Sequence, residues 1–314
     1  MDSLAPMISL PVARTGWAAH RGLLVVAAFV AAPLPVLEAA IPGGYDAEIQ
    51  AWRQGRESRL KADGGWLTVA GLFWLKEGDN RFGSDKGSEV VLPASAPGHA
   101  GVFAFHAGET RFQLEPGVSG TVAGKPAASG LLHPDTGKDE DVLTMGPLTM
   151  QVVERGGRYG IRLKDMQSAQ RKSFAGLRWF PVKESYRITA RFVPAPTIIQ
   201  VPNVLGQVSD MPRPGYLVFT LGGQEMRLDP VIEEPGDKEL FIIFRDETAP
   251  RETYGAGRFL YTDMPKEGKV VLDFNKAYSP PCAFTPFATC PLPPKQNRLP
   301  VRIEAGEMNP TPGH

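Results

Sequence analysis

Leu148–Asp165 reads LTMQVVERGGRYGIRLKD, and this stretch decides the fold class. Apolar and polar residues alternate on both sides of Gly156-Gly157, the period of strands whose side chains point to opposite faces. A glycine pair between two such runs is a tight-hairpin signal, because glycine adopts positive φ without steric cost. Leu221–Gln224, LGGQ, repeats the signal. Outward from these hairpins the same period recurs in GVFAFH (101–106), RFQLE (111–115), YRITARFV (186–193), YLVFTL (216–221) and LFIIF (240–244). WLTVAGLFWL (66–75) is apolar on both faces, as a buried strand is. No helical segments alternate with these runs as a βαβ fold requires. The expected class is all-β: an antiparallel β-sandwich or barrel-like structure with one N-terminal helix, in one or two β-subdomains.

The helix is read over residues 41–65. Tyr45, Ile49, Trp52 and Leu60 fall at helical spacing, Arg56 interrupts the stripe and points to partial solvation, and Gly64-Gly65 ends it. Residues 66–166 form an N-terminal β-unit and 167–308 a C-terminal one, divided at the polar stretch QSAQRKSFAG (167–176). FGSDKGSEVVLP (82–93) has a superficial likeness to phosphopeptide-binding forkhead-associated sandwiches but lacks their basic and Ser-His signatures. It reads as a turn followed by a strand. Before the helix, Arg14 and Arg21 precede GLLVVAAFVAA, and small residues follow at Ala39 and Ala40. That is the layout of a signal peptide over residues 1–40. Pro33 and Pro35 interrupt the apolar run short of the ~20 residues that span a bilayer. The expectation is an exported protein, periplasmic or secreted, with no stable membrane span after processing.

Lys+Arg and Asp+Glu are both 34, so the formal net charge is zero. This argues against nucleic acid as a partner, which calls for a basic excess. There are five histidines, none between Pro134 and Gly313, and no G-x-S-x-G elbow. No H-x-x-x-H or C-x-x-C pair, calcium loop, P-loop or dinucleotide fingerprint occurs, so neither metal nor cofactor is expected.

A polar constellation remains in the last third: FRDETAPRETYGAGRFLYTD (244–263), then KVVLDFN (269–275). With Phe259 and Tyr261 on the core face beside Val270, Leu272 and Phe274, alternation places Arg258, Asp273 and Asn275 together on the other face. Strand pairing would then let Arg258 meet Asp273. In the alternative register Leu260 enters the core and Arg258 is buried, needing its own carboxylate. The candidate ligand-binding residues are Asp246, Thr253, Tyr254, Arg258, Asp273, Asn275, Tyr278 and Asn297. Arginine offers a planar fork for an anion, and the glycines flanking Arg258 would admit a ligand to its backbone. The competing reading is an ordinary structural ion pair. Seven prolines between Pro280 and Pro300 exclude a helix there. Cys282 and Cys290, the chain's two cysteines, lie in this segment, and in an exported protein they are expected to form a disulfide that braces it.

FRDET with TYGAGRFLY, DFNKAYSPPCAF and TCPLPPKQNRLPV resemble a bacterial and archaeal family known as domain of unknown function 1684. Asp246, Thr248, Thr253, Tyr254, Arg258, Asp273, Asn275, Tyr278, Cys282, Cys290 and Asn297 fall on its characteristic positions, and the resemblance extends over most of the mature chain. Ser279 stands where asparagine is common, and Ala249-Pro250 replaces a small flexible turn. The resemblance implies a site but no reaction. Three functions stay open: a polar pocket for a small anionic or carbohydrate-like ligand, a hydrolase using Asp246, Asp263 and Asp273 as acid and base, or an envelope structural or interaction module.

Overall fold

Helix α1 (Gly44–Lys61) packs one stripe inward: Ile49, Arg53, Arg56 and Leu60 are buried. The computed structural model describes residues 43–137 and 141–310, and the leader read at residues 1–40 lies outside them. Arg56 was expected to leave its face partly solvated. It is instead 7 % exposed, because Glu307 accepts from its Nε at 3.2 Å and the Ser279 carbonyl from its guanidinium at 2.9 Å. No helix among the described residues is long and apolar enough to cross a membrane.

Trp66–Thr68 makes a 3-10 turn where an unbroken strand was expected. Strands then follow at β1 (Val69–Trp74), β2 (Gly78–Gly83), β3 (Val90–Val91), β4 (Gly101–His106), β5 (Glu109–Leu114), β6 (Thr121–Val122), β7 (Lys125–Pro126), β8 (Ser129–Leu132), β9 (Val142–Met145), β10 (Leu148–Arg155) and β11 (Arg158–Asp165). They build a six-stranded sheet, β1-β11-β10-β9-β6-β7, and a five-stranded one, β3-β2-β4-β5-β8. Only β2 and β3 pair in parallel; the other ladders are antiparallel. Phe82, Phe103 and Phe112 of one sheet meet Leu143, Met150, Val152, Ile161 and Leu163 of the other in a single core. The opening hairpin pairs Arg155 with Arg158, and Gly156 and Gly157 take φ of 57° and 74°.

The polar stretch after β11 carries the short helix α2 (Ala169–Ser173), capped by the Ser168 hydroxyl. Beyond it lie β12 (Arg187–Pro202), β13 (Val208–Leu221), β14 (Gln224–Leu228), β15 (Glu239–Phe244), β16 (Arg258–Asp263) and β17 (Lys269–Asp273). A four-stranded sheet, β14-β13-β12-β17, faces the two-stranded β15-β16 across a second core of Leu217, Phe219, Leu228, Leu240, Ile242, Phe244, Leu260, Leu272 and Phe274. The β-sandwich expectation is met, and no sheet closes into a barrel.

Two sequence readings need correction. Strand β16 pairs with β15 and β17 with β12, so Arg258 does not face Asp273 across a ladder. The alternative register holds, with Leu260 in the core. LPVRIEAGE (299–307) alternates apolar and polar residues as a strand would, yet it forms no strand. Its carbonyls at Ile303 and Ala305 are taken by the Arg258 guanidinium, which does the work of a ladder partner.

Candidate functional site

Arg258 is 1 % exposed and sits at the centre of a buried knot. Its guanidinium donates to Asp246 Oδ1 at 3.0 Å and to the Ile303 carbonyl at 3.0 Å, and it also bonds the Ala305 carbonyl. Asp246 Oδ2 accepts from the Thr248 hydroxyl at 2.8 Å and the Ile303 N–H at 2.8 Å, and the Thr248 and Thr253 hydroxyls are bonded at 2.8 Å. Burial pulls the Arg258 pKa down, and the charge of Asp246 opposes it. The flanking Gly257 does not admit a ligand. At φ 112° it makes room for the Phe244 carbonyl and Pro293 Cγ, which a Cβ would meet at 2.6 and 2.7 Å.

Asp273 and Asn275 serve a different joint. The Tyr45 hydroxyl on α1 donates to Asp273 Oδ1 at 2.7 Å and accepts from Asn275 Nδ2 at 2.9 Å. The Asn275 amide also grips the backbone of Lys183, as donor at 2.9 Å and acceptor at 3.1 Å. Asn297 holds Asp229 and Ile243 backbone groups at 2.7 to 2.9 Å. Tyr254 donates to the Cys282 carbonyl at 3.0 Å. Seven of the eight candidate residues thus satisfy buried polar groups at separate joints, the requirement that dry interiors impose. Asp246 and Asp273 are buried in different networks, and Asp263 is exposed at 3.9 Å from Lys266. The three carboxylates considered for a hydrolase do not share a cavity.

Tyr278 is the exception, since it lines a cavity of about 430 Å³, a size typical of small-molecule sites. One wall is aromatic: Phe241, Tyr261 and Tyr278 lie nearly parallel in sequence, at ring separations of 4.8 and 6.4 Å. The Arg56 guanidinium lies 4.5 Å over the Tyr278 ring. Trp66, Arg155 and Arg162 also line it. Alternation along β11 sends Ile161 and Leu163 into the sandwich core and Arg162 to the other face. There Arg162 is covered, its side chain 9 % exposed over Trp66.

The cationic wall is under-neutralised. Arg155 takes both oxygens of Asp135, at 2.8 and 2.6 Å. Arg162 approaches Asp135 no closer than 3.8 Å, and its Nε has no hydrogen-bond partner among the described residues. Burial and then Arg155 lower the Arg162 pKa, against the pull of Asp135. Glu233 stands at the rim and accepts from the Tyr261 hydroxyl. Desolvation raises its pKa, opposed by that bond. Burial raises the Tyr278 phenol as well, opposed by Arg56.

The proline-rich segment supplies the third side through Pro281, Thr289, Cys290 and Pro291. It is tied down by Val204 N–H to the Cys290 carbonyl at 3.0 Å and Leu292 N–H to the Pro202 carbonyl at 2.7 Å. Both cysteines are thiols in the structure. The Cys282 N–H reaches Cys290 Sγ at 3.2 Å. The thiol–thiol hydrogen bond lowers the pKa of Cys282 and raises that of Cys290. No group of three or more acidic, histidine or cysteine side chains suited to a metal occurs among the described residues. His99, His106 and His133 pair with Asp85, Glu77 and Asp141 away from the cavity.

A family model described as protein of unknown function (DUF1684) matches residues 172–308. The chain belongs to this family. The DUF1684 match is narrower than the resemblance over most of the mature chain: it covers the Arg258 knot, the proline-rich segment and the aromatic wall, but not Arg56, Trp66, Arg155 or Arg162. An uncharacterized protein of Haloarcula marismortui, solved by solution NMR, is 31% identical over 44% of this chain and 79% of its own, with a TM-score of 0.39. The FhaA FHA domain is 16% identical over 30% of this chain and 97% of its own, with a TM-score of 0.21. The FHA-2 domain of a Mycobacterium tuberculosis ABC transporter is 26% identical over 28% of this chain and 77% of its own, also at 0.21. No curated protein matches the chain.

In this DUF1684 chain the polar signature therefore marks joints, while the cavity's arginines carry no such signature. Arg155 and Arg162 lie in the very hairpin that reveals the fold, at positions that look solvent-facing when that hairpin is considered alone. The only available signal was an arginine flanked by two core residues, and surface strands show that pattern too.

Proposed function

We propose that this is an exported protein whose cavity binds one small anionic molecule. The observation that carries the reading is Arg162, a buried guanidinium lining the cavity that comes no closer than 3.8 Å to Asp135, which its neighbour Arg155 already occupies. A buried cation short of a partner is costly, and an incoming anion offsets that cost. The same charge favours an anion over the neutral carbohydrate also considered. Export rests on the layout of residues 1–40, and a disulfide between Cys282 and Cys290 belongs with it, since export would place two adjacent thiols in an oxidising compartment.

The test is a thermal-shift screen of the processed chain against small carboxylates, phosphates and sulfonates. A binder at about 100 times its Kd stabilises by about 2.7 kcal/mol, roughly 4–5 °C for a chain of this size. Arg162→Gln should abolish the shift and leave the ligand-free melting temperature the same or higher. Anions that shift wild type and Arg162→Gln alike would reject the site.

A further inference from the structure

We infer that the anion taken by this cavity is an aromatic carboxylate, a flat ring bearing a single carboxylate group; the inference rests on the anion-binding reading above. Charge argues for one negative group. Of the three arginines lining the cavity, Arg56 has Glu307 and Arg155 has Asp135 bidentately, while Arg162 has only a 3.8 Å approach to Asp135; the cavity's own carboxylate, Glu233, is engaged by the Tyr261 hydroxyl. A guanidinium is a planar donor fork, which matches two carboxylate oxygens at once.

Shape argues for a flat, π-rich body. Phe241, Tyr261 and Tyr278 are stacked one on the next, Tyr261 and Tyr278 only 14° from parallel, and with Trp66 and Phe259 they give the arginine-lined cavity an aromatic face made of ring edges. An aromatic ring against such a face gains ~0.5–1.5 kcal/mol beyond its buried area, and a saturated ring of equal size does not. The Tyr261 hydroxyl and Glu233 at the rim favour a polar substituent on the ring edge remote from the carboxylate.

Titration calorimetry of the processed chain with benzoate, cyclohexanecarboxylate, phenyl phosphate and benzyl alcohol tests this directly. Benzoate should bind at least about fivefold tighter than cyclohexanecarboxylate, although the saturated ring is the more hydrophobic. Phenyl phosphate should bind more weakly than benzoate, and benzyl alcohol should give no heat. Arg162→Lys should weaken benzoate about tenfold while preserving the circular dichroism of the parent. Equal binding of benzoate and cyclohexanecarboxylate, both weakened by Arg162→Lys, would overturn the aromatic assignment and leave the anion reading standing. Tighter phenyl phosphate would overturn the carboxylate assignment alone. Silence from all four on a folded protein would reject the inference, and the anion reading falls with it only if its broader screen is also silent. Should Arg162→Lys fail to fold, the order of affinities on the unaltered chain still decides the matter.

Discussion

Arg258 and Arg162 are both buried arginines, and the difference between them lies in what surrounds each guanidinium. Arg258 has a carboxylate and two carbonyls, so its surroundings are those of a structural clasp. Arg258→Met should leave Asp246 buried alone and cost about 3–5 kcal/mol of stability in urea unfolding. A double-mutant cycle should show coupling between Arg258 and Asp246, whereas Arg258 and Asp273, which share no hydrogen-bond partner, should add within about 0.5 kcal/mol. Non-additivity between Arg258 and Asp273 would contradict the separation of the two networks. Close reading of the residues had allowed a buried Arg258 with its own carboxylate, but Asp246 could not be chosen from pattern alone. The two residues are brought together because the β15-β16 ladder pairs Arg258 with Phe244, two residues before Asp246.

Elements with a local cause were legible. The Gly-Gly hairpins, the alternating strands and α1 all follow from nearest-neighbour chemistry. The last segment was misread because its carbonyls are satisfied by a side chain from a distant strand, which no local period records. Gly257→Ala should therefore be far more harmful than Gly222→Ala. Both glycines have positive φ, but a Cβ at Gly257 collides with backbone and Pro293, while at Gly222 it meets open space. Expected losses are about 1 kcal/mol at Gly222 and clearly more at Gly257, by chemical denaturation. Helix α1 offers a test by pH. Burial and then the bond to Asp273 raise the Tyr45 phenol above its usual value. The folded state thus keeps its proton longer than the unfolded chain, so this contribution is whole below about pH 10 and is lost as pH rises through the folded pKa. Tyr45→Phe should cost about 1 kcal/mol at pH 7, modest because the ring is half-exposed, and should flatten the alkaline decline. An unchanged alkaline slope would show that Tyr45 is not a pin for the helix.

The molecule as a whole joins the family-matched residues 172–308 to a wall from outside that match. The cavity lies where they meet, with the aromatic face inside residues 172–308 and Arg56, Trp66, Arg155 and Arg162 outside. If the anion reading holds, exchanging the arginine wall should change which ligands bind while leaving the Arg258 clasp untouched. Export carries its own test. Protein recovered from outside the cytoplasm should begin near Ile41 and have no alkylatable thiol, with the eight-residue step from Cys282 to Cys290 contributing about 2.5 kcal/mol once oxidised. Unprocessed Met1 and two alkylated cysteines would refute both parts. The clasp bears on timing too. Arg258, Asp246 and Arg56 all complete their bonding with groups between Ile303 and Glu307. A chain emerging from the ribosome amino end first can already pair Arg258 with Asp246, but all three groups lack their remaining partners until residues 303–307 appear. If the protein is exported as proposed, that late completion helps keep the chain loose enough to be threaded across a membrane.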